Sequence, residues 1–245
     1  MILKKWEDLP EQLRTDAVRP YYNQLQKKKG SLLLKRMFDI AISGLMLLVA
    51  SPVFIVLAIA IKLDSPGPVF YRQERVTQYG KRFRIFKFRT MVSNADKIGT
   101  QVTVGNDSRI TRIGKLIRKC RLDEVSQLID IFRGTMTFVG TRPEVPKYVA
   151  AYTPEMMATL LLPAGVTSLA SIMYKDEDQL LSGAEDVDKT YIEDVLPGKM
   201  HYNLKAIETF SVWGDIRLMF MTVFAVLGKD YSQQEEKQAS EETAV

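Results

Sequence analysis

The sequence predicts an α+β, mainly helical protein. In it a re-entrant helix-break-helix membrane hairpin at residues 37–63 joins a small domain with amphipathic interfacial helices and a β-hairpin. Three observations predict this. A run from Ile40 to Ile61 carries no charge, and as a helix it would match the ~30 Å hydrocarbon core of a bilayer. Ser51-Pro52 sits at the middle of that run, where proline removes a backbone donor and crowds the preceding turn. Beyond the run, strand-forming and helical apolar patterns alternate with Gly/Pro turns.

The flanks of the run bear on its topology. Lys27, Lys28, Lys29, Lys35 and Arg36 precede it, and Lys62, Arg72 and Arg75 follow. Lys and Arg concentrate on the cytoplasmic side of a membrane, so a single span would place one basic flank on the wrong face. A kinked spanning helix and a hairpin that dips into one leaflet both fit the run. The two basic flanks favour the hairpin, with Ser51 and Pro52 as the membrane hinge. The run starts some 40 residues in, is too long for an h-region and lacks an A-x-A-like cleavage site, which excludes a secretory signal peptide.

Residues 1–36 read as an amphipathic arm, because Trp6, Leu9, Leu13, Tyr21, Tyr22 and Leu25 interleave with charges ahead of Lys27–Lys29. Aromatic and basic residues beside an apolar helix suit the membrane interface. For the first ten residues a solvated tail is an equal alternative. Residues 64–228 form the main domain. Asp64-Ser65-Pro66-Gly67-Pro68 is a turn, and Val69–Val76 and Phe83–Met91 flank Thr77–Lys81 as the arms of an antiparallel hairpin.

Ser108–Cys120 is expected to be helical, with Ile110, Ile113, Ile117 and Cys120 on one side and five basic residues over the other. A second helix is expected from Asp123 to about Phe132, stopped by Gly134. Pro154–Leu162 is expected to be a helix, Asp176–Asp188 an acidic helical or loose stretch, and Val212–Leu227 an amphipathic segment that lies in the interface or caps the core. Residues 229–245 are polar and expected to be disordered.

Composition narrows the partners. The chain has 245 residues and a net charge of +5, which suits an anionic partner: lipid headgroups, phosphates or nucleic acid. Its basic residues sit beside a membrane segment without any nucleic-acid-binding motif, so a nucleic-acid partner is not expected. Cys120 is the only cysteine, which excludes an intrachain disulfide and fits a reducing compartment. With His201 as the only histidine, a structural zinc site has too few ligands.

Few residues could carry chemistry. Asp123-Glu124 opens a helix after a strongly basic stretch, and free amides plus the charges of Arg118, Lys119 and Arg121 should keep at least one carboxylate ionised. An ionised carboxylate can act as a nucleophile or hold a hard cation. The plain alternative is an Asp N-cap followed by a first-turn Glu. Lys87, Arg89 and Arg118 belong to basic groups able to neutralise phosphates, or to rest on anionic lipid. Arg142-Pro143 forms a rigid turn with an Arg suited to a nucleotide, and the loop through Thr167 could offer amides to an anion.

Taken in order, these segments resemble the bacterial sugar transferase family, the membrane-associated phosphoglycosyl transferases that use polyprenol phosphate. The resemblance rests on Lys35-Arg36-x-Phe38-Asp39, Ser51-Pro52 and Lys62-Leu-Asp-Ser-Pro-Gly-Pro-Val-Phe70. It continues through Arg72-Gln-Glu-Arg-Val76, Lys87-Phe-Arg-Thr-Met91 and Arg109-Ile-Thr-Arg-Ile-Gly114. Arg118-Lys-Cys-Arg-Leu-Asp-Glu-Val-Ser-Gln-Leu128 and Val139-Gly-Thr-Arg-Pro-Glu144 complete it. It covers roughly residues 35–228.

The resemblance implies an enzyme on the cytoplasmic face of the bacterial inner membrane, re-entrant and non-spanning. Such an enzyme moves a phospho-sugar from a UDP-sugar to polyprenol (undecaprenyl) phosphate, releases UMP and starts a surface glycan. It implies Asp123 as the nucleophile of a covalent intermediate and Glu124, with Asp123, as the Mg2+ ligands. Lys87 and Arg118 would line the phosphate site, and Arg142 would contact the nucleotide. Two segments depart from the usual pattern: Thr141-Arg142-Pro143 replaces Pro-Arg-Pro, and Ala164–Ser168 replaces Pro-Gly-x-Thr-Gly. Where the family commonly has Asn-Gly-Arg, Lys175 is the candidate basic residue. A catalytically inactive membrane-bound nucleotide-sugar-binding scaffold is the alternative, and homo-oligomerisation is left open.

Overall fold

The computed structural model describes residues 3–93, 95, 107–175, 177–181, 186–228 and 231. Apart from Tyr231, the tail at 229–245 lies outside the described residues, as do Asp176 and residues 182–185 of the acidic stretch.

The N-terminal arm buries its apolar residues in the domain. Two 3-10 turns, Trp6–Asp8 and Glu11–Leu13, lead into α1 (Arg19–Lys27). Pro10 separates the turns, so no single amphipathic helix forms. Instead the short turns drop Leu3, Leu9 and Leu13 in succession into one cluster with Val18, Tyr21, Tyr22 and Leu25, against Tyr79, Leu160, Leu161, Ile207 and Phe210. Polar tips fix the arm. Lys4 N donates to Tyr79 Oη at 3.0 Å, Tyr22 Oη donates to Lys4 O at 2.9 Å, and Tyr21 Oη donates to Glu155 Oε1 at 2.8 Å. The arm is therefore part of the domain's core from Leu3 onward, because packed leucines and tyrosines outweigh the ordering of a short segment.

Helix α2 (Lys29–Asp64) follows after a single residue. Its helical conformation runs through Ser51-Pro52 without a non-helical residue, so the expected break between two helices takes the form of a proline inside one helix. The helix has two unlike sides. Leu32, Lys35, Asp39 and Ser43 are buried at helical spacing, while Leu45, Leu48, Val49, Ile55, Val56 and Ile59 are exposed. The buried polar stripe is fully engaged. Lys35 Nζ donates to Val139 O at 2.8 Å and pairs with Asp215, Thr137 Oγ1 donates to Asp39 at 2.8 Å, and Ser43 Oγ donates to Asp39 O. Arg36 donates to Ile131 O and Phe132 O at 2.7 and 2.9 Å.

After the turn, β1 (Phe70–Val76) and β2 (Arg82–Phe88) pair antiparallel from Phe70 opposite Phe88 to Val76 opposite Arg82. The connection holds Tyr79 and Gly80 at positive φ, 61° and 73°. The basic helix is shorter than expected. It is α3 (Arg112–Lys119), capped by Thr111, whose side chain accepts from Gly114 N at 3.0 Å. Ile113 and Ile117 face Phe54, Leu57, Ile61 and Phe88, joining α3 to the second half of α2.

The helix expected over 123–132 is split into a 3-10 turn, Leu122–Gln127, and α4 (Leu128–Arg133). Ser126 Oγ holds the turn on the hairpin by donating to Phe86 O at 3.0 Å. Gly134, at φ 88°, ends α4.

The second sheet is small and buried. β3 (Met136–Val139) leads to α5 (Pro146–Val149), and the helix expected at 154–162 is a 3-10 turn, Met156–Leu161. β4 (Ala164–Thr167) then pairs parallel with β3. A Cβ at Gly165 would lie 2.2 Å from Gly140 N, so glycine lets the two chains meet there. Helices α6 (Leu169–Met173), α7 (Glu177–Leu181) and α8 (Val187–Thr190) lead through a π-helical turn, Tyr191–Val195, into α9 (Leu196–Glu208). Finally α10 (Val212–Val226) packs Leu218 and Met219 on the β3–α4 cluster and exposes Trp213, Phe220, Val223 and Phe224.

Candidate active site

Asp123 and Glu124 lie in the 3-10 turn between α3 and α4. Arg121, immediately before it, takes the left-handed conformation at φ 51°, ψ 28°, which costs a residue with a Cβ about 1–2 kcal/mol. That residue reverses the chain after the basic helix and sets the two carboxylates against β2 and the end of β3.

Glu124 is the hub. Lys87, on β2, donates to its Oε1 at 3.0 Å. Arg142, three residues beyond β3, pairs with Oε1 through Nη2, reaches Oε2 through Nη1 at 3.4 Å, and donates to Val166 O at 3.3 Å. Burial by itself would push the Glu124 carboxyl up. The charges of Arg142 and Lys87 and the hydrogen bonds from both outweigh it and hold the group well below the usual carboxylate range.

Asp123 behaves in the opposite sense. Burial first, then the neighbouring Glu124 charge, push its pKa up, with Lys87 and Arg118 opposing. Neighbouring carboxyls with divergent pKa values separate into distinct roles. Glu124 is a fixed anion that organises two cations, and Asp123 is the more basic carboxylate, hydrogen-bonded to its own backbone amide. The expectation that Arg118, Lys119 and Arg121 supply the field is met only by Arg118. The other two charges come from β2 and the loop after β3, remote in sequence.

Of the other residues singled out from sequence, Arg118 stays near Asp123, with its Nε donating to Thr90 Oγ1 at 2.9 Å. Arg89 is directed elsewhere. It is 5% exposed, and its guanidinium donates to Pro66 O at 2.6 Å, Ser65 O at 2.7 Å and Ile61 O at 3.2 Å. It caps the C-terminal carbonyls of α2. Thr167 shares a hydrogen bond of 2.7 Å with Thr222 on α10, and the Pro143 carbonyl accepts from Arg75 Nη1 at 3.1 Å. Lys175 is exposed, just past α6. Ser51 and Pro52 are exposed in the middle of α2. Sequence reasoning missed the partners behind Glu144, namely Tyr191 and Lys199. No pattern signals them, because they come from a π-helical turn and an ordinary helix far along the chain.

Among the described residues no three His, Cys, Asp or Glu side chains gather as a metal cage. Mg2+ is commonly held by one or two carboxylates plus substrate phosphates and water. The adjacent Asp123 and Glu124 fit that mode, with a diphosphate supplying the remaining oxygens.

A family profile described as bacterial sugar transferase matches residues 30–229. Among curated proteins, the chain is 38% identical over 197 residues to the UDP-glucose:undecaprenyl-phosphate glucose-1-phosphate transferase of Escherichia coli K12, covering 78% of this chain and 40% of that one. It is 33% identical over 212 residues to the UDP-N-acetylgalactosamine-undecaprenyl-phosphate N-acetylgalactosaminephosphotransferase of Aeromonas hydrophila, covering 82% and 47%. With the undecaprenyl-phosphate galactose phosphotransferase of Salmonella typhimurium the identity is 32% over 218 residues, covering 83% and 42%. The chain thus spans under half the length of each of these three relatives.

Proposed function

The chain belongs to the bacterial sugar transferase family, and from that premise we propose that it moves a phospho-sugar from a UDP-sugar to undecaprenyl phosphate. The observation that carries this reading is the asymmetric carboxylate pair, Asp123 raised and Glu124 clamped between Lys87 and Arg142. Relatives named for glucose, galactose and N-acetylgalactosamine transfer support the donor and acceptor classes.

In the first displacement an Asp123 carboxylate oxygen attacks the sugar-bearing phosphorus of the UDP-sugar. The bond from that phosphorus to the bridging oxygen breaks, and UMP leaves with the bond's electron pair. In the second, an oxygen of undecaprenyl phosphate attacks the same phosphorus and the Asp123 O–P bond breaks, giving undecaprenyl diphosphate sugar. Two displacements let one carboxylate serve a water-soluble donor and a lipid acceptor in turn. Lys87, Arg118 and Arg142 offset the diphosphate charge that would repel an anionic nucleophile. Mg2+, held by Glu124 and Asp123 with the diphosphate, would add Lewis-acid stabilisation. The product would begin a surface glycan.

The same reading places the chain on the cytoplasmic face of the bacterial inner membrane, with α2 entering one leaflet and returning. Support comes from its two ends. Lys35 and Arg36 are bonded to Val139, Ile131 and Phe132, while Ile61, Ser65 and Pro66 accept from Arg89, and Asp64 accepts from Ile113 N at 3.0 Å. One small domain holds both ends, which a helix crossing a ~30 Å core would carry to opposite faces.

The test is release of UMP by the full chain in nanodiscs containing undecaprenyl phosphate, offered UDP-glucose, UDP-galactose and UDP-N-acetylgalactosamine. Asp123→Asn should abolish release while membrane association persists. Unchanged turnover in that variant would sink the covalent assignment.

A further inference from the structure

Behind Arg142 four charged residues and a phenol meet, and Glu144, Lys199 and Tyr191 among them are buried. Glu144 and Lys199 are 7% and 6% exposed, and Tyr191 is 3% exposed. Tyr191 Oη donates to Glu144 Oε1. Lys199 Nζ donates to Tyr191 Oη at 2.8 Å and to Glu177 Oε2 at 3.0 Å, and it reaches Glu144 Oε1 at 3.4 Å. All three ammonium donors are therefore directed. On the other side Arg75 Nη1 lies 4.0 Å from Glu144 Oε2 and donates to Pro143 O at 3.1 Å. Val76 N donates to Glu144 O at 3.0 Å. Two cations, Arg75 and Lys199, balance two anions, Glu144 and Glu177.

Burying charge in this way costs several kcal/mol per ion, and apolar residues of similar volume would stabilise a fold as well. The position of the cluster gives it a use. Pro143 and Glu144 are clamped to β1, the π-helical turn and α9, and Arg142 is the next residue along the chain. Arg142 feels Glu124 in front of it and the charges of Glu144 and Glu177 behind it. Glu124 is the carboxylate bonded to the guanidinium, while Glu144, two residues along the chain, and Glu177 act on it at longer range. Arg75 and Lys199 neutralise the two behind, which leaves Glu124 as the partner that holds Arg142.

We propose that Lys199 and Tyr191 are positioning residues for the donor site: by pinning and neutralising Glu144 and Glu177 they keep Arg142 turned toward Glu124 and the incoming diphosphate. The inference rests on the reading that Arg142 contacts the donor. It assigns α7 and α9, which contribute no side chain to the carboxylate pair, a part in nucleotide affinity. Glu177 is the most accessible member, with its side chain 27% exposed, so the strut reaches the surface on α7.

The experiment measures UDP binding by calorimetry on the full chain in nanodiscs, with thermal unfolding as a check on folding. Lys199→Met should weaken UDP binding about tenfold by freeing Glu144 and Glu177 to draw Arg142 back. Adding Glu177→Gln to Lys199→Met should recover most of that loss, although it restores neither the cation nor its packing. Tyr191→Phe should weaken binding by about threefold with little change in unfolding temperature. Lys199→Met binding UDP like the wild type, or a loss that Glu177→Gln fails to recover, would overturn the proposal. If Lys199→Met does not fold, Tyr191→Phe decides, and wild-type affinity in that variant overturns it. Arg142→Met separates the two levels: undiminished UDP binding there refutes the donor-site reading itself, whatever Lys199 does.

Discussion

The Ser51 hydroxyl donates to Leu48 O at 2.8 Å, the carbonyl whose helical partner would have been the amide that Pro52 lacks. Serine thus satisfies locally the acceptor that proline orphans, in a stretch whose exposed neighbours Leu48, Val49 and Val53 leave it no other partner. Ser51→Ala should leave that carbonyl unpaired in an apolar setting, at a cost of about 1–3 kcal/mol, read as a lower unfolding temperature in nanodiscs.

Topology is open to a direct test. A Cβ at Gly30 meets nothing within 4 Å, and Lys81 is exposed in the hairpin connection, so each accepts a cysteine in a Cys120→Ser background. Both Gly30→Cys and Lys81→Cys should react with an impermeant thiol reagent only from the cytoplasmic side. Reaction from opposite faces would restore a single membrane-crossing helix.

The divergent carboxyls predict a pH dependence. Asp123 is raised from its ordinary 3.8, so on acidification it takes a proton before a solvated aspartate would, while Glu124 stays ionised. UMP release should fall along an acid limb whose midpoint lies above 3.8, and a midpoint at or below that value would contradict the assignment. The stability consequence has the opposite sign for the two groups. Asp123 favours the folded state while protonated, and that contribution is lost as pH rises through its raised pKa. Glu124 favours the folded state above its unfolded pKa, and loses that contribution as pH falls toward its depressed one. Asp123→Asn should therefore raise the unfolding temperature at neutral pH, and Arg142→Met should lower it.

Arg89 tests the boundary between structure and site. Its guanidinium donates to three carbonyls at the end of α2, and hydrogen bonds to charged groups contribute about 1.5–3 kcal/mol. Arg89→Met should destabilise the domain by at least that much while the folded fraction binds UDP with unchanged affinity. A selective loss of UDP affinity in a fully stable variant would return Arg89 to the phosphate site.

The arm makes a further prediction. Leu13 is fully buried, so Leu13→Ala should cost about 2–5 kcal/mol, a magnitude that a segment resting in the membrane interface would not show. Chemical unfolding in detergent measures it.

Much of the frame was legible because its signals are local: the uncharged run, the hairpin around Tyr79-Gly80, the apolar face of α3, the Gly134 stop and the extent of α10. Asp123, Glu124, Lys87 and Arg142 were legible as candidates, and the structure brings all four together. Their division of labour was not. It depends on which cations fold back onto Glu124, and Arg142 arrives from the far side of β3. The packing of the arm was not legible, because its leucines follow successive tight turns rather than a helical stripe. Lys35, Asp39 and Ser43 did carry a signal, polar residues at helical spacing entering an apolar helix, and that spacing marks the side of α2 that meets the domain.

The clamps on α2 also constrain the order in which the molecule is made. Arg36 finds its acceptors 95 and 96 residues later in the chain, and Lys35 finds Val139 a further stretch on, at a separation of 104. When the apolar helix emerges from the ribosome, none of those partners has been synthesised. Until then its exposed apolar residues, Leu48, Val49, Ile55 and Val56 among them, have no domain to pack on. On the proposed membrane placement, insertion would precede docking, and β3 and α4 would assemble on a helix already in the bilayer.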